Sequence, residues 1–570
     1  MGRGAFSGLK RRLGTIDLAR NQITEIDAKM FDEFQHIEVI NLAENNITTI
    51  RKHAFRELYL VNINISHNQI TTFENESFAA CKNITELDLS FNSISEIPKE
   101  AFVDTYMTLL YLQNNKILDT SKLPMNFFGL KVLNLSYNSI EIIGRNTFPD
   151  LYELHTIDFS HNNISDIYRS VFQKLFSIRQ INLTHNSLTA LKGSMFGTIP
   201  TLLNLDVSHN KVESVSKGVF EGLSSLRELF LNDNKIEDMF AIPQALNYLY
   251  LQNNNLTFMK PGTWPVMNAL LYLDLDNNNF KDALEPGSFN GLNSLRHLSL
   301  RNNSITTPPW EALSDMQTLQ HINLEYNIIE NITQSAFGRL PTMFTINLAS
   351  NGIRNVSKRA FEGLLQLITL NLSSNVLHHV PNDAFRGLVS LQSLDLSYNH
   401  LQSVDNKTNG LFEDLLSIKK LNLSNNNFQL ITKKMFPYHQ YIPYKLEDVD
   451  LSHNQMPVIT NNILIGLQKV IKLNISHNLL NDLRPNVIGN LTQLEVLDMS
   501  HNHLDAFGTS VFSRDRAFKE IYLQDNHLIS VPANIFATYK NLTQMDLRNN
   551  QLYNYYDDFV SRAVNGTRIR

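Results

Sequence analysis

Apolar residues recur along this chain in one fixed phrase, LxxLxLxxNxL, which falls into register 23 times between Leu13 and Leu552. The LxL core of each copy alternates apolar and polar positions, the period-two signature of a β-strand. The asparagine of the phrase stands at 21, 45, 68, 92, 115, 138, 162, 186, 210, 234, 254, 278, 303, 327, 351, 375, 399, 426, 454, 478, 502, 526 and 550. Of the 22 intervals between these positions, 15 repeat the step from Asn162 to Asn186, so the spacing is a structural period rather than chance. A strand this short cannot bury its apolar side alone, and successive copies must stack, each adding one strand to a parallel sheet. After the strand the chain has to turn beside the core, which leaves backbone polar groups there. An asparagine side chain carries both donor and acceptor and can pair those groups in its own coil and the adjacent one. A second apolar signal lies six residues before the next phrase: Phe31, Phe78, Phe148, Phe172, Phe196, Phe220, Phe289, Phe337, Phe361, Phe385, Phe412, Phe512 and Phe536, with Trp264 in that role once.

Large rings on one side and close-spaced strands on the other predict a curved solenoid. The expected fold is an α/β-type horseshoe with a parallel β-sheet on the concave face and irregular or short helical turns on the convex face. It is read as one array over residues 1–570. Composition agrees: 17 prolines and 22 glycines are spread thinly, with no linker-like segment, and an apolar share of 43% supports a continuous core. A net charge of −6 without a basic stripe speaks against nucleic acid as a partner. Apolar runs fall far short of the ~20 residues needed to cross a bilayer. The start, MGRGAFSGLKRR, lacks the apolar centre of a secretory signal. Cys81 is the only cysteine, so no disulfide within the chain and no cysteine zinc site can form.

The extended phrase LxxLxLxxNxLxxI/LpxxxFxxL, recurring on that same period, resembles the extracellular class of animal leucine-rich repeats. LNLSYNSI (133–140), VDLSHNQM (449–456) and LDLSYNHL (394–401) are copies of that type. The long uninterrupted array, with GAFSGL (4–9) and AFRGL (384–388), is similar to the chaoptin-like adhesion proteins of insects. The resemblance implies an extracellular, membrane-attached or matrix glycoprotein that mediates cell contact. Members usually seal the solenoid with cysteine-rich caps, and this sequence shows none. From that departure the expectation is a fragment of a longer array, with any signal peptide or anchor outside it.

Asn-x-Ser/Thr sequons occur at Asn46, Asn64, Asn75, Asn83, Asn134, Asn163, Asn182, Asn255, Asn302, Asn331, Asn355, Asn371, Asn406, Asn422, Asn474, Asn490, Asn541 and Asn565, and are candidate glycosylation sites. Six of them, Asn64, Asn134, Asn182, Asn371, Asn422 and Asn474, arise from the phrase itself, where an asparagine at its fifth position meets the serine or threonine often found two residues on. That position is expected to point outward from the sheet, where a partner would be read. It is Asp nine times, Asn nine times, and otherwise Tyr111, Phe230, Tyr250, Ser299 and Tyr522. The six strand sequons flank a stretch with none at this position, which carries Phe230, Tyr248, Tyr250 and Tyr272 on three adjacent strands. Asp274, Asp276, Arg296 and His297 stand beside them. Exposed aromatics near charge resemble an interface centre; the plainer explanation is that aromatics suit strands.

His67, His161, His185, His209, His453, His477 and His501 all precede the motif asparagine. Two runs of three on consecutive strands would allow metal binding or pH sensing, against the simpler view that Ser-His-Asn is a habitual way of writing this turn. The steps from Asn399 to Asn426 and from Asn426 to Asn454 are longer than the common one. They add DNKTNG (405–410) and PYHQYIPYK (437–445), the latter with Tyr438, Tyr441 and Tyr444. These predict protruding loops or plain length drift. The step from Asn234 to Asn254 is shorter than the rest, trimming the convex side there. HExxH, Walker, GxSxG and GxGxxG signatures are absent, and the carboxylates are regularly spaced rather than convergent. The expectation is a non-enzymatic protein without cofactor, metal or small-molecule substrate. Its partner is a cell-surface or matrix protein, with a second copy of itself among the candidates. The alternative is a ligand-binding ectodomain of a Toll-type or other leucine-rich-repeat receptor.

Overall fold

A computed structural model describes residues 14–28, 30–31, 34, 37–124, 127–402, 411–412, 414–431, 435–436, 445–459, 463–483, 487–488, 491–506, 518–531, 541–553 and 568–569. Phe512, Phe536, the DNKTNG insertion, Tyr438, Tyr441 and Tyr444 lie outside the described residues. The chain divides into two compact units, one of residues 1–257, 262–278 and 291–294, the other of residues 258–261, 279–290 and 295–570.

In the first unit twelve parallel strands run from Thr15–Asp17 to Tyr272–Asp274, one per turn. Register is kept by the repeat itself: Thr156, Ile157 and Asp158 pair with Gln180, Ile181 and Asn182, their counterparts in the next copy. In the second unit twelve more run from His297–Ser299 to Arg568–Ile569 in the same manner. The last of these pairs Gln544 with Arg568 and Met545 with Ile569, so a further turn follows the final LxL phrase that the sequence pattern shows. Most strands have a three-residue pattern with the middle residue buried, because the alternating leucines point inward and their polar neighbours do not. Among the described residues, the opposite side of the turns carries two-residue strands such as Asp166–Ile167, a few 3₁₀ turns, and one four-residue helix, Trp310–Leu313.

The phenylalanines form a buried spine. Phe361 lies 6.1 Å from Phe337 and 6.1 Å from Phe385, ring centre to ring centre. Phe55, Phe102 and Phe436 join the spine although the six-residue rule misses them, and Phe240, six residues before Leu246, joins it as well. Ring spacing shows which side is inside the bend. In the first unit Phe172, Phe196 and Phe220 are 6.2 and 6.3 Å apart. His161, His185 and His209, on the strand side of the same turns, are 4.2 Å apart. Those turns therefore splay toward the phenylalanines, as bulky residues on that side require. At the start of the unit the spine is tighter, with Phe55 and Phe78 only 4.9 Å apart.

The motif asparagines do what their donor–acceptor chemistry allows. Asn186 donates from Nδ2 to the carbonyls of Phe159 (2.9 Å) and Leu183 (3.0 Å), while its Oδ1 accepts from the Ile164 amide (2.9 Å). Two of these partners belong to the preceding turn, so Asn186 fastens that turn to its own as well as closing its own.

Candidate functional site

Beneath the sequence pattern lie two structural roles that the sequence reading assigned elsewhere. The first concerns the fifth position of the phrase. Every one of its Asp and Asn residues turns its Oδ1 back to accept a hydrogen bond from the amide two residues on, from Asp17 to Ala19 through Asp546 to Arg548. This Asx arrangement holds the exit from the strand. These residues therefore serve their own backbone, while all but Asp274 and Asp546 stay exposed or half-buried on the outward side of the strand. Tyr111, Phe230, Tyr250, Ser299 and Tyr522 lack such a side chain, and the aromatic four among them have area to spare for another molecule.

The second concerns the residue before the motif asparagine. At all 23 copies, from Arg20 to Asn549, it has φ between 50 and 58° and none is glycine. A left-handed conformation costs a non-glycine residue on the order of 1 kcal/mol, and Asn, Asp and His tolerate it best. Here the amide of that residue is paired with the next turn, as in His161 N–H to Thr184 C=O at 3.0 Å. Histidine suits this left-handed position, which Arg20, Glu44, Phe91, Tyr137 and Ser350 also adopt in other copies. The imidazoles stack face to face, which keeps their nitrogens from converging on one point, and among the described residues no group of three potential ligands could hold a metal ion.

The sequence-predicted aromatic patch does assemble in the first unit. Parallel pairing places Phe230 beside Tyr250 and Tyr248 beside Tyr272. Phe230 and Tyr250 stack at 4.5 Å with planes 3° apart. Tyr272 leans on Tyr250 at 5.3 Å and on Tyr248 at 6.4 Å. Tyr248 is the most open, at 37% exposure. Asp276 stands half-buried beside them, its amide held by Asp274. Arg296 and His297 belong to the second unit, where Arg296 is exposed and His297 stacks on His321 at 4.3 Å. Burial, with Arg296 beside it, pulls His297 below the ordinary histidine value.

Asp274 was expected at the surface and is only 8% exposed. Its Oδ1 accepts the Asp276 amide and its Oδ2 accepts the Tyr272 hydroxyl at 3.3 Å. Burial, with the Asp276 carboxylate adding like charge, pushes Asp274 up to about 6. Burial and then Asp274 push the Tyr272 phenol well above its usual range. A folded-state value above the unfolded 3.8 means the native protein prefers Asp274 neutral, so this group costs stability as pH rises from about 4 through 6. Asp274→Asn is expected to raise unfolding free energy at pH 7.5 by on the order of 2 kcal/mol. The gain should vanish at pH 4; denaturant titrations at both pH values measure it, and an equal gain at both would contradict the assignment.

Other features fall outside the patch. The trimmed repeat leaves an open cleft of about 530 Å³ on the side away from the strands, among Phe220, Leu223, Ile242 and Pro243. The length anomaly before Asn254 was its only sequence signal. Cys81 is buried, donates to the Phe55 carbonyl at 2.7 Å, and has its thiol pushed up to about 12 by burial. Its role is packing. Of the sequon asparagines, Asn46, Asn75, Asn163, Asn255, Asn302, Asn331, Asn355 and Asn541 are exposed. Asn64, Asn83, Asn134, Asn182, Asn371, Asn422 and Asn474 are half-buried, six of them engaged in the Asx turns just described. Asn406, Asn490 and Asn565 lie outside the described residues. Among those described, no helix is long and apolar enough to cross a membrane.

A family model described as leucine rich repeat matches residues 11–70, 59–117, 128–188, 176–236, 244–305, 272–329, 296–353, 317–377, 341–401 and 445–504. No curated protein matches the sequence. Solved structures share the fold. The TLR13–ssRNA13 complex is 23% identical with a TM-score of 0.55, over 94% of this chain and 84% of that one. The Toll–Spatzle complex from Drosophila is 14% identical with a TM-score of 0.59, over 83% of this chain and 59% of Toll. Mouse RP105/MD-1 is 19% identical with a TM-score of 0.58, over 96% of this chain and 92% of that one.

Proposed function

Because this chain belongs to the leucine-rich-repeat family, we propose that it is an extracellular binding solenoid of the chaoptin-like kind, mediating cell adhesion through another cell-surface or matrix protein, with a second copy of itself as the first partner to test. The observation that carries this reading is the run of rings Phe230, Tyr250, Tyr248 and Tyr272 across three adjacent strands, facing away from the core. Aromatic side chains give large contact area at low entropic cost, and they dominate binding energy where they cluster. The exposed sequons fit a glycosylated protein of the cell surface, and the role assigned is binding rather than catalysis.

A second reading is capture of a soluble ligand, favoured by the likeness to chains of the Toll–Spatzle and RP105/MD-1 complexes. Nucleic acid is set aside on charge alone, a net of −6. The TLR13–ssRNA13 complex makes a filter-binding assay with single-stranded RNA a necessary control.

Beads coated with the purified chain should cluster if adhesion is homophilic. Tyr248→Ala with Tyr250→Ala is expected to weaken clustering, or capture by cells bearing the partner, by about 10-fold or more. Loss of the ring stacking should cost only about 1 kcal/mol of stability. Retained binding by a variant that is correspondingly destabilised would show the rings to be structural and overturn the assignment.

A further inference from the structure

The left-handed residues before the motif asparagines line up turn by turn as a rail, and two stretches of rail have one composition. In the first unit His161, His185 and His209 stack face to face at 4.2 and 4.2 Å. Asp233 ends the stack, its Oδ2 3.5 Å from His209 Nε2 and its Oδ1 accepting from the Asn253 side-chain Nδ2 at 2.8 Å. In the second unit His453, His477 and His501 stack at 4.0 and 4.0 Å. There Asp525 ends the stack, 3.3 Å from His501 Nε2, and accepts from Asn549 at 2.8 Å. The step along the chain from His161 to His453 recurs from His185 to His477, from His209 to His501 and from Asp233 to Asp525. Beneath the rungs the strand positions also agree: Asp158, Asn182, Asp206 and Phe230 in one, Asp450, Asn474, Asp498 and Tyr522 in the other.

Uncharged imidazoles at this spacing attract through their faces. Two charged ones repel by roughly two to seven times thermal energy, depending on how much water screens them. The middle ring of each rail has an imidazole on either side. Tyr137 covers the outer face of His161 at 4.1 Å. Lys211 donates to Ser187 at 3.3 Å and Lys235 lies 3.7 Å from Glu213, adding cationic charge two residues beyond the first rail. The second rail has His503 and His527 at those positions, 5.6 Å apart. Asp206 and Asp233 oppose the positive charge on one rail, Asp498 and Asp525 on the other. Even so, burial and the two neighbouring imidazoles hold His185 and His477 below the ordinary histidine value.

We propose that the two histidine rails are acid-sensitive fasteners, which tie their turns together near neutral pH and loosen them locally in mild acid. The unfolded chain takes up a proton near pH 6.5, whereas folded His185 and His477 resist it. Their contribution is therefore complete above about pH 6.5 and is lost as pH falls below it.

The test is the double variant His185→Asn with His477→Asn. Asparagine already occupies the left-handed rail position at Asn253, Asn277, Asn425 and Asn549, so the backbone is preserved. The fall in thermal midpoint from pH 7.5 to 5.5 should be smaller in the variant than in the wild type by about 2 °C, the stacked His297–His321 pair leaving a fall in both. Hydrogen exchange, corrected for the intrinsic pH effect, should rise in acid at Ile181–Leu183 and Leu473–Ile475. It should not rise at Ser393–Asp395, whose rail residue is Tyr398. If the double variant fails to fold, each single variant read by exchange at its own turn carries the same test. Equal pH dependence in wild type and variant, or equal loosening of the control turn, would overturn the proposal.

Discussion

Asn399→Leu is expected to lower unfolding free energy by about 4 kcal/mol, although it exchanges one side chain for another of similar size. Asn399 is 3% exposed and makes four bonds to the backbone. Its Nδ2 donates to the carbonyls of Leu372 (3.0 Å), Leu396 (3.1 Å) and Ser397 (3.1 Å), and its Oδ1 accepts from the Leu377 amide (3.0 Å). Leucine satisfies none of them and seals them from water, at about 1–3 kcal/mol for each group left unmet. Asn399→Asp should cost nearly as much, because it keeps the acceptor but turns a second oxygen toward three carbonyls. Denaturant unfolding gives the loss, and amide exchange at Leu377 should quicken before that of distant turns, since a solenoid loses contacts between nearest neighbours first. A loss below about 1 kcal/mol would mean that water replaces the side chain.

That asparagine is also why the fold was legible without coordinates. Turning off a strand beside a core strands polar backbone groups, and the residue suited to that need stands at every copy, so the requirement is printed in the sequence with a countable period. The phenylalanine spine was legible for the same reason, except where spacing drifted: Phe55 and Phe102 escape a six-residue rule because their turns reach the next strand differently, yet they pack in line with Phe31 and Phe78. The extra strand Arg568–Ile569 carries no leucine phrase and could only be seen by its pairing.

The candidate site was less legible because two backbone duties imitate recognition. A column of Asp and Asn at the fifth position looks like a polar reading surface, and nine of each is also the composition of an Asx turn. A histidine column looks like chemistry, and is also what a left-handed residue beside a neighbour tolerates. Once those duties are assigned, the informative positions are the exceptions. Phe230 and Tyr250 cannot cap their turns and stack on each other instead. Asp274 caps its turn but is buried by the rings around it, so a residue taken for a surface charge titrates like a core group.

Phe361→Ala should cost about 3–5 kcal/mol, the range for removing a buried ring whose neighbours cannot collapse into the space. Phe361 is 1% exposed, with Phe337 and Phe385 each 6.1 Å away and inclined by 15 and 17°. Those rings belong to adjacent turns, whose strands are fixed in register at Thr345–Asn347, Thr369–Asn371 and Ser393–Asp395. The spine therefore cannot shorten without breaking strand pairs on the other side of the turn. Phe361→Leu keeps most of the volume and should cost only about 1–2 kcal/mol. If cavity formation sets the cost, the alanine variant loses unfolding free energy while an apolar probe the size of benzene restores part of it in calorimetry. Recovery by the probe with leucine as well as alanine, or a loss no larger than leucine's, would show that the turns close up and that the ring spacing does not set their splay.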